Sequence, residues 1–375
     1  MQLKKVDMLN KPYKIYADYV ESGAIDQFVE AMEQPYVVQG ALMPDVHQGY
    51  SLPIGAVVAC EGVVVPAYVG FDIGCGMCAV PTNFSLEGVR SHSKEIFDLV
   101  YKMVPVGTNR NAKNAVTELE KVPHTDVVAN LIKEGGLNEV GSLGSGNHFI
   151  EIGHDETDRV WIVIHSGSRH VGHSVASHYM KIASGTDKAK EGHYGLSTAS
   201  HAGDDYIMDL KFCLEFALAN RLEMIKRVGT AIGEFTEGEI HQEWLINRNH
   251  NHAEEKDGRW IHRKGATHAE SGMMGVIPGC MRDGSFIVIG KGNPDSLYSS
   301  SHGAGRIMGR GAAKRTLDME VFKAEMAAKG ICAKVEESTL DESAGAYKSI
   351  FEVMALQSDL VEVVHHIKPV INIKS

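Results

Sequence analysis

Short apolar runs rich in β-branched residues, bounded by glycine or proline, recur along this chain: IGAVVAC at 54–60, GVVVPAYVG at 62–70, WIVI within VWIVIHSGSR at 160–169 and FIVI within SFIVIGKG at 285–292. Such runs predict strands, and the glycine loops that close them predict tight turns at the strand ends. Polar residues that follow a run are therefore delivered to strand ends. Helical spacing is confined to 24–33, to 86–103 and to a long segment from Asp205 to about Phe235. There Ile207, Leu210, Leu214, Leu218, Leu222, Ile225 and Val228 form a stripe expected to face the core. Neither an internal period nor a linker appears, so the expected architecture is a single β-rich α+β domain over 1–375, with its site built from separate loops.

Composition adds two constraints. The 39 glycines in 375 residues exceed the usual share of about 7%, and 19 histidines accompany them, both pointing to loops and sites. With 37 basic and 48 acidic residues the net charge is -11, so any field that attracts an anionic polymer has to be local. No apolar segment follows the N-terminal basic residues and no run reaches about 18 apolar residues, so neither a signal peptide nor a membrane span is expected and the cytoplasm is the expected location. Cys60, Cys75, Cys78, Cys213, Cys280 and Cys332 are too sparse for a disulfide framework.

Chemistry concentrates in the glycine loops. In FDIGCGM, Asp72 and Cys75 can converge on one metal ion. His148 follows GSGN, His165 closes an apolar run, and His250 stands in NHNHA, read as a polar loop. An acid, a thiolate and three imidazoles would suit one or two borderline ions such as Zn²⁺, Mn²⁺ or Co²⁺, with Cys75 able to bridge them. The competing reading at each position is a hydrogen-bonding histidine or a core thiol. Cys78 lacks a second cysteine pair to complete a zinc site. In PDVHQG, Asp45 either orients its neighbour His47 or holds a turn.

The loop SSSHGAGR (299–306), followed by Arg310, Lys314 and Arg315, suits an anionic nucleotide, with a helix expected to start after Gly303 and His302 as a candidate nucleophile. No phosphate-binding P-loop or dinucleotide fingerprint occurs. Arg169, Arg263, Lys264, Arg306, Arg310 and Lys314 either form a local basic groove or are scattered, solvated charge. From residue chemistry alone, a metal-dependent RNA phosphoesterase or nuclease and a non-catalytic, metal-stabilised RNA-binding protein are rivals to a nucleotidyl-transfer enzyme.

As a set, LMPDVHQGY, VGFDIGCGM, GSGNHFIEI, HSGSR, NHNHA, HRKGA, SSSHGAGR, GAYKSI and KPVINIK resemble the RtcB family of GTP-dependent RNA-splicing ligases over about residues 42 to 375. The resemblance implies a single RtcB-like α+β fold, two Mn²⁺ ions and GTP. It also implies joining of RNA 3'-phosphate or 2',3'-cyclic phosphate ends to 5'-hydroxyl ends, in splicing or repair. On it, Asp72, Cys75 and His250 are similar to ligands of one ion and Cys75, His148 and His165 to ligands of the other. His302 resembles the histidine that becomes guanylylated and Asp45 the carboxylate that orients it. Asn147, Glu151, Ser285, Arg306, Tyr347 and Lys374 resemble residues around the nucleotide, and Arg169 is the candidate for holding an RNA phosphate.

Overall fold

The computed structural model describes residues 3–113 and 118–375. Two sheets carry the fold. The smaller has five strands in the order Tyr13–Ile15, Val37–His47, Ile54–Cys60, Arg259–Lys264 and Asn251–Lys256, antiparallel apart from the first pair. The larger runs Met274–Pro278, Ser285–Gly290, Val361–Ile373, Phe149–His154, Val160–Ser166, Gly76–Pro81 and Ile246–Asn249, with Cys332–Ala333 joined to its long C-terminal strand. Both sheets belong to one β-rich α+β domain. His250 is the single residue between the last strand of the larger sheet and the first residue of Asn251–Lys256 in the smaller.

The 33-residue helix His201–Gly233 spans both cores. At about 1.5 Å per residue it is roughly 50 Å long. Its first half packs Tyr206, Leu210, Phe212 and Phe216 beneath the smaller sheet with Phe28 and Met32. Its second half sets Met224, Ile225 and Val228 against Ile150, Ile152, Ile162 and Ile164 of the larger sheet. Each such side chain contributes about 1.5–3 kcal/mol when buried, so the helix fixes the two sheets against each other.

Five local expectations need correction. Only Val63–Val64 of the 62–70 run is strand, because Pro66 opens a helical turn over Pro66–Val69. The 86–103 helix is two, Leu86–Ser91 and Ser93–Met103, broken where His92 leaves helical geometry and its Nδ1–H donates to the Gly88 carbonyl at 3.1 Å. The long helix begins four residues early because the Ser200 hydroxyl caps the Gly203 amide at 3.1 Å. Its buried face also differs from the expected stripe: Leu222 is 39% exposed, while Asp209, Asn220 and Arg221 are buried. The helix after SSSHGAGR starts at Arg310, not after Gly303.

Candidate active site

Two loops, one strand end and one strand junction bring the metal-type residues together: Asp72 and Cys75 share a loop, His148 ends another, His165 lies in the strand Val160–Ser166 and His250 stands at the junction. Cys75 Sγ lies 3.3 Å from His148 Nε2 and 3.2 Å from His165 Nε2. His165 Nε2 is 3.2 Å from His250 Nε2, and His148 Nε2 is 3.0 Å from Asp72 Oδ2. All of these except half-buried Asp72 are buried. The Nδ1 protons of His148 and His165 are given to the carbonyls of Leu143 (2.9 Å) and Asn147 (3.2 Å), which assigns their Nε2 lone pairs inward. Inward lone pairs beside a carboxylate and a thiol repel unless cations sit among them, so the donor set fits borderline metal ions. Burial and the neighbouring imidazoles push His165 and His250 well below the usual histidine range, keeping them neutral donors. Burial and the Asp72 carboxylate push the Cys75 thiol up, so a cation is what would favour its thiolate.

The geometry depends on two glycines and on the long helix. A Cβ at Gly76 would stand 2.4 Å from the Arg248 carbonyl, and one at Gly167 would stand 2.3 Å from Asp72 Oδ1. Arg221 Nη1 donates to the carbonyls of Gly74 (2.9 Å) and Ser166 (2.7 Å), and its Nη2 to Asn249 Oδ1 (2.8 Å). Asn220 Oδ1 accepts from the amides of Gly141 (2.7 Å) and Ser142 (3.0 Å), and its Nδ2 donates to Gly167 O (3.0 Å). These two residues hold the backbones that carry Cys75, His148, His165 and His250. They were missed in the sequence, although an adjacent polar pair within an apolar helix was the available signal. His250 is buried at a junction of strands and not in a polar loop.

His302 follows the strand Ser299–Ser301, and its ring centroid is 4.8 Å from that of His250. Its Nδ1 lies 2.6 Å from Asp45 Oδ2, which also accepts the amides of His302 (3.1 Å) and Gly303 (3.3 Å). The loop amides expected to face a phosphate are thus partly spent on this carboxylate. With Nδ1–H donated to Asp45, the free lone pair of a neutral ring is on Nε2. Asp45 orients His302 across 257 residues and not its neighbour His47, whose Nδ1 meets the Asp45 carbonyl at 3.0 Å. Lys348 of GAYKSI, a third residue missed in the sequence, donates to the carbonyls on either side of Asp45, Pro44 (3.1 Å) and Val46 (2.7 Å).

A cavity of about 400 Å³ opens over these groups and is also lined by Asn147, Glu151, Arg306, Tyr347 and Lys374. Burial raises the Glu151 carboxyl to about 8, against the opposing contacts of Ser285, Asn372 and Lys374. Ser285 stands beside Glu151. Glu151 Oε1, Ser285 Oγ and Asn372 Oδ1 are buried without partners. Beside them Glu342 organises the cations: Arg310 Nη1 (2.6 Å), Arg306 Nη1 (3.4 Å), Lys374 and the Tyr347 hydroxyl (2.7 Å) all converge on it. Burial opposes ionisation there, but Lys374 and Arg310 hold Glu342 down at about 2.

Arg169 opens the helix Arg169–Ser184 with a left-handed φ of 60°, an uncommon conformation for a side chain of its size. Its guanidinium donates to Gly107 O (2.7 Å) and Ser142 Oγ (3.3 Å), behind His148. Arg263 neither joins a groove nor is solvated. It is fully buried among His252, Glu254, His268 and Glu270, forming an ion pair with Glu254 at 2.5 Å. Among the described residues, no helix is long and apolar enough to cross a membrane.

Comparison with known proteins places this arrangement. The family described as tRNA-splicing ligase RtcB matches residues 27–129 and 114–375. The chain is 34% identical to the RNA-splicing ligase RtcB of Escherichia coli K12, covering 97% of this chain and 98% of that protein. It is 32% identical to the tRNA-splicing ligase RtcB of Aeropyrum pernix over 83% of this chain and 82% of the relative, and 29% identical to that of Thermococcus kodakarensis over 94% and 91%. Family match and identity over nearly the full length agree: the chain belongs to the RtcB family.

Proposed function

We propose that the protein is a GTP- and manganese-dependent RNA ligase of the cytoplasm, joining RNA 3'-phosphate or 2',3'-cyclic phosphate ends to 5'-hydroxyl ends. The observation that carries this reading is the Asp45–His302 pair facing the cysteine–histidine cluster across one cavity. The name of the relatives, RNA-splicing ligase, supports RNA as the substrate. Asp72, Cys75 and His148 would hold one ion and Cys75, His165 and His250 the other, a different division from the one the resemblance implied because Asp72 lies beside His148 and His165 beside His250, and the bound ions would offset phosphate charge.

His302 Nε2 attacks the α-phosphate of GTP: an N–P bond forms, the P–O bond to pyrophosphate breaks, and Asp45 stabilises the resulting imidazolium through Nδ1–H. The RNA 3'-phosphate, where necessary first released from its cyclic form by water, takes GMP from His302. The 5'-hydroxyl oxygen then attacks the activated phosphate, GMP leaves, and the hydroxyl proton passes to solvent. Glu151, Ser285 and Asn372, with their unpartnered buried oxygens, suit the N–H edge of guanine. Arg306 and Lys374 are held by Glu342 for the phosphates, with Tyr347 and Asn147 on the cavity wall, and Arg169 is assigned to an RNA phosphate.

Incubation of Mn²⁺-loaded protein with α-labelled GTP and an RNA pair bearing 3'-phosphate and 5'-hydroxyl ends tests the reading. A labelled protein adduct that disappears in His302→Ala, together with a joined RNA, is expected. RNA hydrolysis without an adduct would instead mark a phosphoesterase, and labelling retained in His302→Ala would sink the assigned nucleophile.

A further inference from the structure

A second concavity adjoins the active-site cavity. Tyr50 and Glu191 line both, and beyond them it is bordered by Glu30, Ser51, Lys190, His193 and Tyr194. None of the residues assigned to guanine or to its phosphates borders it, so this groove meets the active-site cavity on a different side, at Tyr50 and Glu191.

Tyr50 is 77% exposed at the shared rim, yet its backbone is not loose. The Gln27 side chain accepts the Gly49 amide at 3.0 Å and donates to the Gly49 carbonyl at 2.8 Å, and it also reaches the Tyr50 carbonyl. Ser51 and Leu52, immediately after, are buried. The chain is thus pinned on both sides of the ring, and no other aromatic ring stacks on it among the described residues. Further along, Lys190 Nζ lies 5.3 Å from the Tyr194 ring centre, placing a cation with a second aromatic. The wall behind is fixed as well: the His193 carbonyl accepts the Tyr36 hydroxyl at 2.7 Å, and His193 Nδ1 meets the Tyr68 hydroxyl at 2.9 Å.

An exposed aromatic on a pinned backbone at the mouth of a cavity, followed by a cation and another ring, is what single-stranded RNA uses: bases stack on π-faces and phosphates pass basic groups. With the backbone already held, only the two side-chain torsions of the tyrosine are left to be ordered when a base lies on it. We propose that Tyr50 is a stacking platform for a nucleobase next to the RNA end being joined, and that the Lys190–Tyr194 groove carries the strand away from the site. This inference rests on the RNA-ligase reading and adds a subsite to it.

The test uses the full-length, metal-loaded protein and a short single-stranded RNA with a 3'-phosphate and 2-aminopurine as its terminal or penultimate base. Binding is followed by anisotropy, and stacking by quenching of the 2-aminopurine. Tyr50→Ala is expected to weaken binding about 5- to 150-fold and to abolish the quenching, with Tyr50→Phe restoring both and neither variant changing the melting temperature. Equal affinity and quenching in wild type and Tyr50→Ala overturn the proposal, as does a loss that Phe does not restore. The two readings fail separately. Absence of GMP adduct and joined RNA in the wild type removes the ligase reading, whereas normal joining with indifferent Tyr50→Ala binding removes only the platform.

Discussion

Two histidine clusters lie either side of a two-residue step along the chain, from His250 to His252. Around His250 are Asp72, Cys75, His148 and His165; around His252 are Glu254 and His268. In each, triads of potential ligand atoms come within 4.8 Å of one another: Cys75 with His165 and His250, Cys75 with Asp72 and His148, and His252 with Glu254 and His268. The difference is the resident cation. Arg263 Nη1 reaches Glu254 and, at 3.2 Å, His252 Nε2, its Nε donates to Ser299 Oγ at 2.8 Å, and Lys256 pairs with Glu270 at 3.2 Å. At an effective dielectric of 20, a dication about 4 Å from that guanidinium would meet roughly 8 kcal/mol of repulsion. Around Cys75, by contrast, Arg221 is turned to backbone carbonyls and amide side chains, leaving the donor atoms to a metal. Ligand spacing therefore nominates a metal site, and the occupant of its centre decides.

The largest effect that could break this contrast is at the shared ligand. Cys75→Ala should lower Mn²⁺ affinity by more than the 10- to 100-fold typical of outer-shell changes and abolish joining, whereas His268→Ala should leave metal stoichiometry unchanged by titration calorimetry. Loss of metal in both variants would mean the second cluster also binds an ion. Next, Arg263→Met strips the cation from Glu254 and Glu270 and should destabilise the fold by about 3–5 kcal/mol in denaturant titrations. Added Zn²⁺ should recover part of that loss in the variant alone, because the freed donors then resemble an empty site; a variant indifferent to zinc would show that the guanidinium is not what excludes metal.

A smaller effect is expected at Lys348, whose bonds brace the segment bearing Asp45. Lys348→Met should slow GMP transfer to His302 by about 10- to 100-fold at saturating GTP, as a misplacement of order 1 Å would, with Lys348→Arg partly restoring it. An unchanged rate would make the brace dispensable. Burial also has opposite outcomes at two carboxyls, one in the His252 cluster and one on the wall of the active-site cavity. Burial opposes ionisation of Glu270, yet His268 and Arg263 hold it at about 2, while burial takes Glu151 to about 8. The folded state thus keeps the Glu151 proton that the unfolded chain loses above about 4.5. The associated stability is complete below that pH and drains away as pH rises to about 8, at up to about 1.4 kcal/mol per pH unit. Glu151→Gln should flatten this part of the stability curve, and an unaltered slope would place the titration elsewhere.

Much of the site was legible because its residues sit in glycine loops at the ends of apolar runs, and Asp72, Cys75, His148, His165 and His250 do converge. The strands at 54–60 and 160–166 were equally clear from β-branched runs. Arg263 was read as part of a basic groove or as solvated charge because charge in a sequence carries no sign of depth; its buried charge is met by Glu254, which the sheet register brings near, and by Glu270, just beyond the strand Ala266–His268. Asn220 and Arg221 were hidden by a hydrophobic stripe that predicted Leu222 inward. The helix turns these polar residues inward instead, since the loop backbones above it need donors and acceptors that apolar residues lack.

The one-residue passage at His250 makes the molecule intolerant of insertion at that point. Side chains alternate along a strand, so a single residue added after His250 would exchange the faces of all of Asn251–Lys256 against an unmoved partner strand. Arg263 would lose its carboxylate and the smaller sheet its inward Ala253 in the same event. Deletions there carry the mirror-image penalty, so length at this junction is as constrained as chemistry.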